Sequence, residues 1–279
     1  MKIHSQKFQS KAIRGVVYSA AGITSALIIG LVVYILVKGI PNLTPSLFSI
    51  KYTSENVSLF PALVNTITVT FLTLLISVPV GIGAAIYLSE YAKRGSKIVK
   101  VIRITTETLA GIPSIVYGLF GFLFFSTALK WGYSLLAGCC TLSIMILPVI
   151  IRTTEEAVLS VNDSYREASF GLGAGKLRTV FHAVLPSAIP GIVSGIVLGM
   201  GRIVGETAAL IYTAGTVAQI PENVMGSGRT LSVHLYALWC EGLATGQSYA
   251  TAVILLAIVL LLNGLSGMLE KLISKKVMK

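Results

Sequence analysis

The sequence predicts an all-α, polytopic membrane protein with six transmembrane helices and both termini in the cytoplasm. Three observations carry that expectation. Only 12% of the 279 residues are charged while 54% are hydrophobic, against roughly 25% charged in a soluble globular chain. The apolar residues gather into six runs near the length of about 20 residues that a helix needs to cross roughly 30 Å of hydrocarbon. The 22 lysines and arginines outnumber the 11 acidic residues and are spread unevenly between those runs. On a soluble chain a net charge of +11 would suggest nucleic acid; on an apolar chain it reports topology, so the expected surroundings are a lipid bilayer with no nucleic acid.

The first span runs from Val16 to Val37 without a charge; at about 22 residues it outruns a signal-peptide core of about 7 to 15 and is expected to stay in the mature protein. The second, Leu59–Leu88, is longer than the bilayer requires and carries Pro79, Gly81 and Gly83, which predict a kink. The third, Leu109–Leu129, contains Gly111, Pro113, Gly118 and Gly121; the fourth, Ser134–Ile151, ends beside Pro148. The fifth runs from Pro190 to about Thr216 and the sixth from Ala250 to Leu269. Seventeen of the 22 basic residues fall in the N-terminal tail, the loops after spans two and four, and the C-terminal tail, which places those segments inside. The opposite side holds Lys38, Lys51, Lys130 and Arg229, and Arg202 alone lies within a span. The chain thus divides into residues 1–58 (tail, first span, external loop), a core at 59–269, and a basic tail at 270–279. The external segment Val217–Tyr249 turns apolar and aromatic at Val233–Trp239, as a short interfacial helix would.

Several motifs fail. Gly171-Leu-Gly-Ala-Gly-Lys176 departs from a phosphate-binding loop at Phe170 and Leu177. His4, His182 and His234 have no second ligand at metal spacing, and Cys139, Cys140 and Cys240 form no framework. Glu155 and Glu156, read as loop residues beside Arg152, are expected to be solvated. Neither catalytic chemistry nor a cofactor is expected.

The cytoplasmic loop Arg152–Ile189 is too long for a plain connector. Ser164-Tyr-Arg-Glu167 fits a capping box that starts a helix at Tyr165, and Gly171 and Gly173 would end it. From Lys176 to Val184, Leu177, Val180, Phe181 and Val184 stand at helical spacing, and Leu185-Pro186 is expected to break the pattern. The product is a helix, a glycine turn and a helix. Glu167-Ala168-Ser169, then Gly173, then Ala183-Val-Leu185-Pro186 resembles the EAA loop of ABC-importer permeases, with Ser169 and Ala183 in place of the usual Ala and Ile. That resemblance implies that the hairpin, about 162–186, docks on a cytoplasmic ATPase through Glu167, Ala168, Gly173, Leu185 and Pro186; an interfacial linker is the bland alternative.

Arg202 and Glu206 are charges in an otherwise uncharged span, at about 2.5 to 3.5 kcal/mol each on insertion scales. Read as one helix, Gly191, Gly195, Gly199, Arg202 and Glu206 share an arc of roughly 80°, so the two charges are expected to pair at i, i+4. They would either meet an anion crossing the bilayer or fix helix packing. Gly111-Ile-Pro-Ser-Ile-Val-Tyr-Gly-Leu-Phe120 and Arg202-Ile-Val-Gly-Glu-Thr-Ala208 resemble the permeases of phosphate-specific ABC importers, and Ala208-Ala-Leu-Ile-Tyr-Thr-Ala214 is most similar to their PstA class. The resemblance covers about Leu59 to Leu269. It implies a type I ABC-importer permease fold in the bacterial cytoplasmic (inner) membrane and a pore shared with a PstC-like permease. A PstB-like ATPase dimer would lie inside and a PstS-like phosphate-binding protein outside, with Arg202 and Glu206 on the substrate path. The chain itself would not be an enzyme. Two other readings stay open: an importer of molybdate or sulfate, and a stand-alone secondary transporter, for which the internal repeats are not evident.

Overall fold

A computed structural model of the chain describes residues 2–93, 95–242 and 244–277, and the side chains of 13–93, 95–242, 244–265 and 267–268; Arg94 and the last two tail residues, Met278 and Lys279, lie outside the described residues. The described residues form helices and connections, without a strand. Five helical runs are long and apolar enough to cross a membrane, and a bent pair makes a sixth. α1 (Lys2–Gly39) lies along the outside of the bundle, with Val16, Leu27, Ile28 and Leu31 exposed. It touches the bundle near its end, where a Cβ on Gly39 would fall 2.4 Å from the Tyr249 carbonyl oxygen and Tyr34 meets the Tyr249 hydroxyl at 3.1 Å.

α2 (Phe60–Ile86) continues in a π-helical turn, Tyr87–Tyr91. Span three is not one helix: α3 (Lys97–Ala110) and α4 (Ser114–Gly121), which runs on through a π-helical stretch to Ala128, are bent by 99°. The cause is local. Pro113 has extended backbone, lacks an N–H and biases Ile112 away from helical angles, and the buried Tyr117 hydroxyl donates to Leu109 O at 2.8 Å across the bend. The membrane-crossing part, Ser114–Ala128, is then only about 22 Å long.

α5 (Leu135–Leu159) outlasts the expected span by two turns. Glu155 and Glu156 are therefore helical and paired, not loose in a loop: Glu155 lies 2.6 Å from Arg103 on α3 and Glu156 2.9 Å from Arg152. α6 (Asp163–Gly171) and α7 (Lys176–Thr179) form the hairpin, and a π-helical turn, Val180–Val184, joins α7 to α8 (Leu185–Gly205). The expected break at Leu185-Pro186 does not occur. Pro186 directly follows the π-helical turn Val180–Val184, and helix runs on from Lys176 to Gly205. α9 (Ala208–Thr213), α10 (Leu231–Glu241) and α11 (Thr245–Val277) complete the chain. α10 packs one face on the bundle, with Leu231, Val233, His234 and Leu238 buried, and leaves Tyr236 and Trp239 exposed on the other.

The core lies where α2, α5, α8 and α9 meet, around Val69, Leu142, Met145, Ile146, Ile150, Ile203 and Leu210. α8 reaches α5 through glycines. A Cβ on Gly195 would lie 2.1 Å from Thr153 Oγ1, and one on Gly191 2.7 Å from Ala157 Cβ; small residues allow such close approach where no hydrophobic effect drives helices together.

Candidate functional site

The hairpin is built from its turn outward. Asn162, not Ser164, caps α6, its side chain accepting from Ser164 N at 2.9 Å, so the helix begins at Asp163. Gly173 takes φ +81°, where an L side chain is strained, and Leu172, Gly173 and Ala174 donate backward to Ala168, Phe170 and Ser169 carbonyls. The Ser169 and Thr179 hydroxyls meet at 2.8 Å and tie the limbs together. Around this turn the surface is apolar and exposed, with Leu172 90% and Leu177 66% accessible and Tyr165, Phe170 and Phe181 about half so. Glu167, Ala168 and Gly173 lie on the exposed first limb and turn. Leu185 and Pro186 stand apart from them at the root, half-buried, Leu185 against the cluster of Val158, Val161 and Val184.

Arg166 fastens the hairpin to the bundle. Its guanidinium donates to Glu90 at 2.7 and 3.0 Å, to Asp163 at 3.0 Å, and to the Val158 and Val161 carbonyls at 3.0 and 2.8 Å. Both Arg166 and Glu90 are largely buried, and Glu90 belongs to the π-helical turn that ends span two. Lys176 adds a second link, lying 5.1 Å above the Tyr91 ring. In the sequence Arg166 stands only as a charge in the cytoplasmic loop. Its i, i+3 relation to Asp163 was legible, whereas the Glu90 contact, 76 residues away, had no local signal.

Arg202 and Glu206 do not share a helix. α8 ends at Gly205, and Glu206 has extended backbone, φ −73° and ψ 129°. The expected i, i+4 pair is absent among the described residues. Instead Glu206 Oε1 accepts from Ala209 N at 3.1 Å, capping α9, and Glu206 O accepts from the Ser232 hydroxyl on α10. Arg202 stays half-buried in the last turn of α8, with neither a hydrogen bond nor an ion pair to another described residue. The break is set by packing against α4 and α5. A Cβ on Gly118 of α4 would fall 2.8 Å from Ala209 Cα, and one on Gly138 of α5 would fall 3.0 Å from Leu210. With Gly199 against Ile146 and Ile150, the discontinuity sits beside the middle of α5, inside the bundle. A broken helix beside a cation that no described residue pairs is the kind of feature that marks an ion path.

The family model described as binding-protein-dependent transport system inner membrane component matches residues 77–275. This chain belongs to that family. As an ABC-importer permease it is a transport component and not an enzyme. It is 33% identical to the probable ABC transporter permease protein YqgI of Bacillus subtilis over 98% of each chain. It is 34% identical to the phosphate transport system permease protein PstA 2 of Mycobacterium bovis, over 72% of this chain and 67% of that one. Among solved structures it resembles a bacterial alginate ABC transporter in complex with its alginate-bound periplasmic protein, at TM-score 0.61 and 17% identity, over 91% of this chain and 95% of that one. The fold is that of a type I ABC-importer permease. At that identity the likeness concerns the fold alone, and such permeases serve unlike substrates.

Proposed function

We propose that this permease imports inorganic phosphate, as one half of a pore shared with a PstC-like second permease. A PstB-like ATPase dimer would dock on the hairpin and a PstS-like phosphate-binding protein on the opposite face, in the bacterial inner membrane. The observation that carries the reading is the guanidinium of Arg202, half-buried in the last turn of α8 at the α8–α9 break and without an ion pair or hydrogen bond among the described residues. Phosphate is an anion near neutral pH, and stripping its water in an apolar passage raises a steep barrier unless fixed donors replace it. An Arg remains charged and offers forked N–H groups. Because Arg202 is not locked to Glu206, its charge is available to an anion, and Glu206 one step along lets the anion leave again. Family resemblance supports phosphate over other oxyanions through the segments around Gly111–Phe120 and Arg202–Ala214, and a PstA-named relative points the same way.

The other half of the reading is the hairpin. It presents Leu172, Leu177 and Phe181 to solvent, a surface that fits a groove on another protein, and it is bonded to the end of span two through Arg166. Glu167, Ala168 and Gly173 are assigned to ATPase docking, with Leu185 and Pro186 at the root that passes the motion to α8. The test is purification of the chain from native membranes, then ATPase assays of the complex with its binding protein loaded in turn with phosphate, sulfate or molybdate. Stimulation by phosphate alone is expected. A complex without an ATPase, or one stimulated by molybdate or sulfate in place of phosphate, would overturn the proposal.

A further inference from the structure

A second cation is buried at the end of the bundle away from the hairpin. Arg229 precedes α10 and is 4% exposed. Its backbone is fixed, the N–H donating to Val217 O at 2.9 Å and the carbonyl accepting from Asn65 Nδ2 at 3.1 Å. The guanidinium lies over the ring of Tyr52, with Cζ 4.8 Å from the centroid. Yet Nε and Nη2 are shut off from solvent and have no hydrogen-bond partner among the described residues. The carboxylates paired among the described residues serve Arg103, Arg152 and Arg166; none serves Arg229.

Two facts bear on what this guanidinium can bind. A buried cation with unmade hydrogen bonds carries a steep desolvation cost, which a single aromatic face returns only in part. The two orphaned nitrogens, moreover, form one edge of the guanidinium, whose N–H groups run parallel and match two oxygens of one oxyanion. His234 approaches the same Tyr52 ring edge-on at 6.1 Å, is fully buried, and has both ring nitrogens without a partner among the described residues. Burial, helped by the nearby positive charge of Arg229, pushes its imidazole down to about 3, so at neutral pH it is uncharged and keeps one N–H to donate. From here a short polar chain leads inward. Thr230 and Ser232 hydroxyls meet at 3.2 Å, and Ser232 donates to the carbonyl of Glu206 at the break in span five.

We propose that Arg229, backed by Tyr52 and His234, is a second oxyanion site at the outer end of the bundle, which receives the transported ion before Arg202 in a conformation that uncovers the guanidinium edge closed off here. The proposal rests on the importer reading above. It assigns to Arg229 the capture of a tetrahedral oxyanion by its side edge, and to Tyr52 the positioning of the guanidinium.

The experiment is calorimetric titration of inorganic phosphate, sulfate and molybdate into the intact purified complex, without binding protein, for wild type, Arg202→Gln, Arg229→Gln and Arg229→Lys. Phosphate should bind wild type and Arg202→Gln, while Arg229→Gln weakens it about tenfold or more and Arg229→Lys, which keeps the charge but not the fork, recovers only part. Complex yield shows whether Arg229→Gln assembles; if it does not, the Arg229→Lys comparison decides. An Arg229-dependent response to sulfate or molybdate but not to phosphate keeps this site and overturns the phosphate assignment. Equal affinity in wild type, Arg229→Gln and Arg229→Lys for all three ions overturns the site, and leaves the importer reading to the uptake assay.

Discussion

Arg202 and Glu206 are four residues apart, yet they act on different partners. Glu206 is a cap for α9 through Ala209 N, so Glu206→Gln keeps an acceptor in place, whereas Glu206→Ala loses it at about 1 kcal/mol. Complex yield should accordingly fall for Glu206→Ala and hold for Glu206→Gln. Arg202 has no hydrogen bond or ion pair to lose among the described residues, and Arg202→Gln should abolish phosphate uptake with complex yield unchanged; equal loss of assembled complex and uptake would assign Arg202 to packing. His234 permits a test of burial by pH. Its imidazole sits near 3 in the fold against about 6.5 in an unfolded chain, so the unfolded chain takes up the proton first. Stability is whole above pH 6.5 and declines as pH falls toward 3, by roughly 2 kcal/mol at pH 5. Thermal melts of the solubilised complex should show that pH-dependent loss in wild type and not in His234→Phe.

At the scale of elements, the hairpin behaves as a clamp with a hinge. Nothing lies within 4 Å of a Cβ built on Gly173, so the strain of a substitution comes from φ alone and not from crowding. Gly173→Asn should be tolerated, while Gly173→Ala and Gly173→Leu should cost about 1 to 2 kcal/mol each and uncouple ATPase activity from uptake alike. A graded loss with side-chain size would contradict this. Arg166 and Glu90 are a part-buried pair, and removing one partner strands the other at about 3 kcal/mol. Arg166→Ala should therefore loosen the hairpin from span two, lowering uptake per ATP hydrolysed, and the exchanged pair Arg166→Glu with Glu90→Arg should recover part of it. Much of the hairpin was legible because turn chemistry is local: Gly173 and the apolar spacing of Leu177 and Phe181 are visible in sequence. The bend in span three and the break at Glu206 were not. Pro113 signals a bend but not its 99° size. The end of α8 is set by α4 and α5 packing on α9 through Gly118 and Gly138, contacts that a helical wheel cannot register.

For the molecule as a whole, apolar run length and the uneven placement of 22 basic residues were enough to read six spans, because the bilayer imposes the same demand on every span. Boundaries failed where helices run past the hydrocarbon, as α5 does to Leu159 and as the hairpin's second limb does into α8. The orientation has its own check. Cysteines placed at Thr53 and Glu222 should be labelled from outside intact cells, and one placed at Leu172 on the hairpin should not. What joins the two ends is transport itself. The most direct measurement is uptake of radiolabelled phosphate into proteoliposomes holding the purified complex, with binding protein on one side and ATP on the other. ATP-dependent accumulation that excess sulfate and molybdate leave intact, and that Arg202→Gln abolishes, is the predicted result. Accumulation displaced by either competitor, or unchanged in Arg202→Gln, would contradict it.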